Sequence, residues 1–176
     1  MKIEYYHASK YGNGAKVAEE FQRQMIAKGV TVNIHHVRDA KPNEIPPADL
    51  YLFSSPGRFG KPIGDMQNFL KKINLPSGTK YALVVTELCP NPENVKRIPS
   101  EDEVGKCQRV LPIMNKELQK KGLVKVGEDK IFVTGIKGPL EEGWQKIVET
   151  FISRIPTQPY VPTDKSLTSS QVVSVA

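Results

Sequence analysis

Ile3-Glu4-Tyr5-Tyr6-His7-Ala8-Ser9-Lys10-Tyr11-Gly12-Asn13-Gly14-Ala15-Lys16-Val17 is the stretch whose reading decides the fold of this chain. Ile3 to His7 is a short run of strand formers, broken by small, polar and glycine residues from Ala8 to Gly14. From Ala15 the pattern turns helical, with Val17, Ala18, Phe21 and Met25 on one face. A strand that passes through a glycine-containing loop into a helix leaves several backbone N–H groups free. With the positive end of the helix dipole, they suit an oxygen-rich anion such as phosphate. Ser9 and Asn13 add side-chain donors and Lys10 adds charge. Alone, the loop fits a plain βα turn that needs Gly12 and Gly14 for positive φ better than a phosphate site. The rest of the chain shifts that balance.

Outward from this stretch, 176 residues at 39% hydrophobic content predict one globular domain with a substantial core. No apolar run reaches membrane-spanning length, and the N-terminus reads as a strand rather than a signal peptide. Two cysteines, Cys89 and Cys107, make neither a disulfide framework nor a zinc site, so a reduced, cytoplasmic chain is expected. The net charge of +6 favours an anionic partner: a phosphorylated cofactor, an acidic protein or nucleic acid. The lack of a long basic run, zinc spacing or RNA-binding aromatic motif argues against the last.

Beyond the first helix, Gly29 marks a stop, and Val30, Val32 and Ile34 alternate with polar residues as in a half-exposed edge strand. Asp49 to Ser54 is a nearly unbroken apolar run, expected of an interior parallel strand, and it ends in a second unusual loop, 54–62. Met66, Phe69, Leu70 and Ile73 have the spacing of a buried helix face. Lys80 to Thr86 reads as another buried strand, feeding a third loop that begins Glu87-Leu88-Cys89-Pro90 and runs irregularly to about Asp102. Val104, Cys107, Leu111, Met114 and Leu118 mark a helix that Pro112 must kink or restart. Leu123 to Val126 and Lys130 to Val133 read as two short strands around Gly127. A last helix would carry Leu140, Trp144, Ile147, Val148, Phe151 and Ile152 inward. The domain is expected to span 1–155, with 156–176 a proline- and Ser/Thr-rich tail, flexible or ordered by a partner.

Five strand regions alternating with helices predict an α/β sandwich of three layers around a five-stranded parallel sheet, order 2-1-3-4-5. In such a sheet, ligands bind beyond the carboxyl ends of the strands, where the order reverses between strands one and three. The three unusual loops follow strands one, three and four, so all would converge there.

At this point the sequence resembles the flavodoxin family, through Tyr6 to Glu19, through Ala48-Asp49-Leu50 with Ser54-Ser55-Pro56 and Gly60-Lys61, and through Gly138-Pro139-Leu140. The likeness covers residues 1–154. It implies a flavodoxin-like fold and non-covalently bound FMN. The phosphate would rest on Ser9, Lys10, Tyr11, Gly12, Asn13 and Gly14. The ring would lie between Ser55, Pro56, Gly57, Arg58, Phe59 and Gly60 on one side and Thr86, Glu87, Leu88 and Cys89 on the other. Gly57 would let a peptide turn its carbonyl toward flavin N5, and Phe59 would cover one ring face. The implied activity is electron transfer, or FMN-dependent reduction of a small acceptor such as a quinone. A redox partner protein or small-molecule acceptor would complete it. A flavodoxin-type protoporphyrinogen oxidase and a cofactor-free interaction module with the same fold are the alternatives.

The chain departs from the family pattern in its phosphate loop, in the charge of its ring loop, and in the Leu88-Cys89-Pro90 loop, which supplies no aromatic for the second ring face. Its phosphate loop has Ser9 but Gly14 where a hydroxyl residue is common, and its ring loop carries Arg58 and Lys61 where family members are typically acidic. Coulomb reasoning then predicts a higher flavin potential and a different class of partner. Among single residues, Cys89 and Cys107 read as packing and His7 as a satisfied strand-end histidine. His35-His36 reads as solvent-facing, Trp144 as core, Glu87 as either a carboxylate near the ring or a loop cap, and Glu101-Asp102-Glu103 as a solvated helix approach.

Overall fold

The computed structural model describes residues 1–88 and 109–157. Strands β1 (Lys2–His7), β2 (Thr31–His36), β3 (Leu50–Arg58), β5 (Lys80–Leu88) and β6 (Val124–Val133) form a parallel sheet in the order β2-β1-β3-β5-β6. A two-residue strand, β4 (Lys61–Pro62), folds back antiparallel on the end of β3. Counting the parallel strands alone, this is the expected order 2-1-3-4-5.

Side-chain alternation splits the core into two layers. On one face Ile3, Tyr5, Leu50, Leu52, Ala82, Val84 and Ile131 pack against α1 (Asn13–Ile26) and α4 (Trp144–Arg154). On the other, Tyr6, Tyr51, Phe53, Tyr81, Leu83 and Val85 pack against α2 (Gly64–Lys72) and α3 (Val110–Gln119). Each helix contributes one apolar stripe: Val17, Ala18, Phe21 and Met25 are the buried residues of α1 that sequence spacing picks out. Helices α1 and α3 close with the same motif. Val30 N–H reaches the Met25 carbonyl at 3.1 Å past Gly29, and Leu123 N–H reaches the Leu118 carbonyl at 3.3 Å past Gly122. Both glycines have positive φ, 74° and 76°, as a helix-ending turn of this type requires.

Several boundaries differ from expectation, each for a packing reason. The two short strands around Gly127 are one strand, β6, which absorbs an extra residue by a register shift opposite Tyr81 and Ala82. Glycine stands there because a Cβ would lie 2.8 Å from Ile155 Cγ2. Pro112 neither kinks nor starts α3. It is the third helical residue, where its missing N–H would have had no helical acceptor. Leu140 is buried but precedes α4, bridging to Val133, and Trp144 opens that helix half-buried. The expectations for Cys89, Val104, Cys107, the acidic run 101–103 and the tail from residue 158 fall outside the described residues. No described helix is long and apolar enough to cross a membrane.

Candidate cofactor site

Strand β1 ends level with β2, while β3 runs on beyond it. His7 pairs with His36 of β2 and with Ser54 of β3, so the chain leaves the sheet where its order reverses. Ala8 N–H makes the last bond to the sheet, 3.0 Å to the Ser54 carbonyl. After it, seven consecutive backbone N–H groups, Ser9 to Ala15, donate to no acceptor among the described residues. Gly12, with φ 85°, turns the chain into α1 without any side-chain cap, so the helix begins with its donors open.

Side chains around the loop fix its outline. The Ser9 carbonyl accepts a 3.2 Å bond from His36 Nε2, whose Nδ1 accepts from the Arg38 N–H at 3.2 Å. That pair of bonds assigns His36 the neutral Nε2–H tautomer. Asn13 Nδ2 donates 3.1 Å to the Lys137 carbonyl, and its amide lies so close to Gly138 that a Cβ there would come within 2.6 Å of Oδ1. The Asn13 amide thus ties the loop to the segment after β6. Lys10 is exposed, with its Nζ 5.4 Å from the Tyr11 ring centre, and makes no ion pair among the described residues.

Histidines 35 and 36 do not simply face solvent. His35 Nε2 lies 2.5 Å from the fully buried Glu4 carboxylate, which also accepts from Asn33 at 2.8 Å and Lys2 at 2.9 Å. Burial alone would raise the Glu4 pKa, but the bonds from Lys2, Asn33 and His35 outweigh it and hold the carboxyl below its ordinary value. Nor is His7 satisfied. Its ring meets His36 edge-on at 5.0 Å, Nδ1 is buried without a partner, and burial, helped by His36 and opposed by Asp39, lowers its pKa to about 4. No cluster among the described residues has the composition of a metal site.

The second loop is a β-hairpin. Strand β3 continues four residues past Ser54, and Gly57 and Arg58 pair with Pro62 and Lys61 across a two-residue turn, Phe59-Gly60. Both turn residues have positive φ, 51° and 72°, as the twist of a two-residue hairpin demands. Ser55 Oγ accepts from Ile63 N–H at 3.2 Å and donates to the Pro56 carbonyl at 3.0 Å, so its hydroxyl braces the hairpin. Gly57, whose φ is not positive, has a steric reason. A Cβ there would lie 3.0 Å from Glu87 Cγ and 3.1 Å from Val110 Cγ2.

Strand β5 likewise runs two residues further than its apolar pattern, placing Thr86 and Glu87 inside and Leu88 outside. Glu87 is only 3% exposed. Lys130 Nζ lies 3.0 Å from its Oε2, an ion pair by distance, yet neither carboxylate oxygen has a bond of hydrogen-bonding geometry. Glu87 is therefore no loop cap: it is a buried carboxylate beneath Gly57. Sequence spacing gives no hint of Lys130, Arg109 or Val110 at this place. A search for His36 would have succeeded by noting that β2, in register with β1, ends beside His7.

A groove of about 310 Å3 lies at the opposite, amino end of the sheet, lined by Met1, Asp49, Thr79 and Pro156 among others. Its polar side chains are engaged: Asp49 accepts from Lys2 N–H at 2.7 Å, and Thr79 donates to the Pro76 carbonyl at 2.6 Å.

Comparison with solved structures agrees with the sheet order. Oxidised Flavodoxin 1 from Bacillus cereus superposes with a TM-score of 0.64 at 17% identity, covering 89% of this chain and 100% of that one. A flavodoxin from Streptococcus pneumonia TIGR4 gives 0.62 at 18% identity, over 88% and 97% of the two chains. The chain has the flavodoxin fold. Rubredoxin oxygen:oxidoreductase from Desulfovibrio gigas matches with a TM-score of 0.64 at 13% identity, over 88% of this flavodoxin-fold chain. This chain spans only 35% of that protein's length. No protein-family model matches this sequence, and no curated protein is similar to it in sequence.

Proposed function

We propose that this flavodoxin-fold chain binds FMN without a covalent bond at the carboxyl rim of its sheet and serves electron transfer, or the reduction of a small acceptor such as a quinone. The observation that carries the reading is the row of seven open N–H groups at Ser9–Ala15, set at the switch point beside the exposed Lys10. A dianionic phosphate ester matches such a set. Backbone donors compensate for the missing hydroxyl at Gly14, and charge-assisted bonds are about twice as strong as neutral ones.

Bound there, the flavin would supply one- or two-electron chemistry through its ring. Ser9 to Ala15 with Lys10 would hold the phosphate. The hairpin at Gly57–Gly60 would flank the ring, with Phe59 available to cover one face. Arg58 and Lys61 would favour uptake of negative charge, and Glu87 would oppose it only weakly because Lys130 stands beside it. Titrating the purified chain with FMN tests the reading. Quenched flavin fluorescence and a perturbed visible band are expected, with riboflavin bound more weakly. A protein that leaves both spectra unchanged is not a flavoprotein.

A cofactor-free interaction module is the second reading, favoured by Ser55 and Asn13, whose side chains are spent on the protein itself. That reading predicts no response in the same titration.

A further inference from the structure

The tip of the β3–β4 hairpin combines several features that work against the isolated fold, offset in part by the Arg58 guanidinium, which lies 5.6 Å from the centre of the Phe59 ring. Arg58 and Lys61 are direct cross-strand partners, and like charges placed opposite one another destabilise a pair. The backbone of a third basic residue, Arg109, is held to the turn by its N–H, which donates 3.0 Å to the Gly60 carbonyl. None of the three makes an ion pair among the described residues. Nearby carboxylates are committed elsewhere: Asp65 to Arg38 at 2.6 Å and Glu87 to Lys130 at 3.0 Å. In sequence, segment 89–108 sets Lys96, Arg97 and Lys106 against Glu93, Glu101, Asp102 and Glu103. Its net charge is −1, three cations less four anions. Between the cations sits Phe59, a non-glycine residue at φ 51° and 91% exposed. Left-handed backbone costs about 1 kcal/mol or more for such a residue, and asparagine or glycine would serve the turn better.

We infer that this tip, Arg58–Lys61 with Arg109, is a docking surface for an acidic protein. Local strain and unbalanced charge persist where function needs them, and here both would be relieved by one event: carboxylates neutralising three cations while an apolar surface covers Phe59. An exposed aromatic flanked by arginine and lysine is the composition of an interface anchor. A projecting tip cannot enclose a small anion, and three cations at one point do not track a nucleic-acid backbone. The inference goes beyond flavin binding, because none of these features requires the cofactor.

The experiment is an amide NMR titration of the 15N-labelled full chain, with and without FMN. The probes are a plant-type ferredoxin as an acidic partner and cytochrome c as a basic control. Ferredoxin should move the amides of 57–62 and 109–111 in both forms of the protein, and cytochrome c should move none of them. Failure of flavin binding would leave this result intact, so the two proposals fail separately. Charge reversal by Arg58→Glu, Lys61→Glu and Arg109→Glu together should weaken ferredoxin binding about tenfold or more at low salt. The equal change in net charge made by Lys28→Glu, Lys72→Glu and Lys116→Glu should weaken it less than about threefold. If the reversed hairpin fails to fold by circular dichroism, glutamine at the same three positions replaces it. Equal losses in the two sets, shifts centred elsewhere, or tighter binding of citrate or a single-stranded oligonucleotide at these amides would each overturn the proposal.

Discussion

The two ends of the sheet are built by opposite rules. At the amino end the named local groups close on the protein itself: Gly29 and Gly122 end their helices, Lys2 N–H bonds Asp49, and Lys2 Nζ pairs with Glu4. At the carboxyl end the exceptions collect. Seven N–H groups are open, His7 Nδ1 and the Glu87 oxygens are buried without hydrogen bonds, and Phe59 stands in left-handed backbone. A cavity at the amino end therefore means less than unsatisfied groups at the other. Concavity alone selects nothing, whereas an unpaired donor or charge favours a particular ligand chemistry.

The contrast can be broken in order of expected effect. Lys10→Glu should weaken FMN binding by about two orders of magnitude, through a lost attraction and an added repulsion, while riboflavin binding changes little. Equal loss for both ligands would remove the phosphate role. Second comes pH. Because His7 is held neutral in the fold, with a pKa near 4 against 6.5 when free, the unfolded chain takes up its proton first. Its contribution is complete above pH 6.5 and is lost as the pH falls toward 4, on the order of 3 kcal/mol. Thermal melting of the wild type and His7→Gln across that window should show a smaller acid-side decline in the variant. Third, Gly127→Ala forces a Cβ against Ile155 and should lower stability by about 1–2 kcal/mol in urea melts while FMN affinity stays the same. A matching fall in affinity would mean the two ends are not independent. Smallest, Phe59→Asn puts the preferred Asn-Gly pair into the turn and should raise stability by roughly 1 kcal/mol, with weaker docking of an acidic protein. A destabilised variant would show that Phe59 packs within the isolated chain, against its role in docking.

Much of the fold was legible because it is written in short-range pattern. Alternation in Val30–Ile34 marks an edge strand, the apolar run at 49–54 an interior one, and Val17, Ala18, Phe21 and Met25 a helix face. The order 2-1-3-4-5, and with it the rim where sheets of this order bind ligands, follow from those assignments. The Ser9–Gly14 stretch announced open donors, because a glycine-rich exit from a strand leaves helix N–H groups without acceptors whatever the rest of the chain does.

Tertiary structure alone decided the other matters, since each depends on residues far apart in sequence. Gly57 lies under the constraint of Glu87 and Val110, and Glu87 meets Lys130 only when β5 and β6 pair. Ser55 and Asn13, nominated as ligand groups, are engaged by Ile63 and Lys137. Arg109 reaches the hairpin across a long stretch of chain. Sequence thus determines which backbone groups a local conformation leaves unpaired; only packing determines whether a side chain spends its hydrogen bonds and charge within the protein or presents them to something outside.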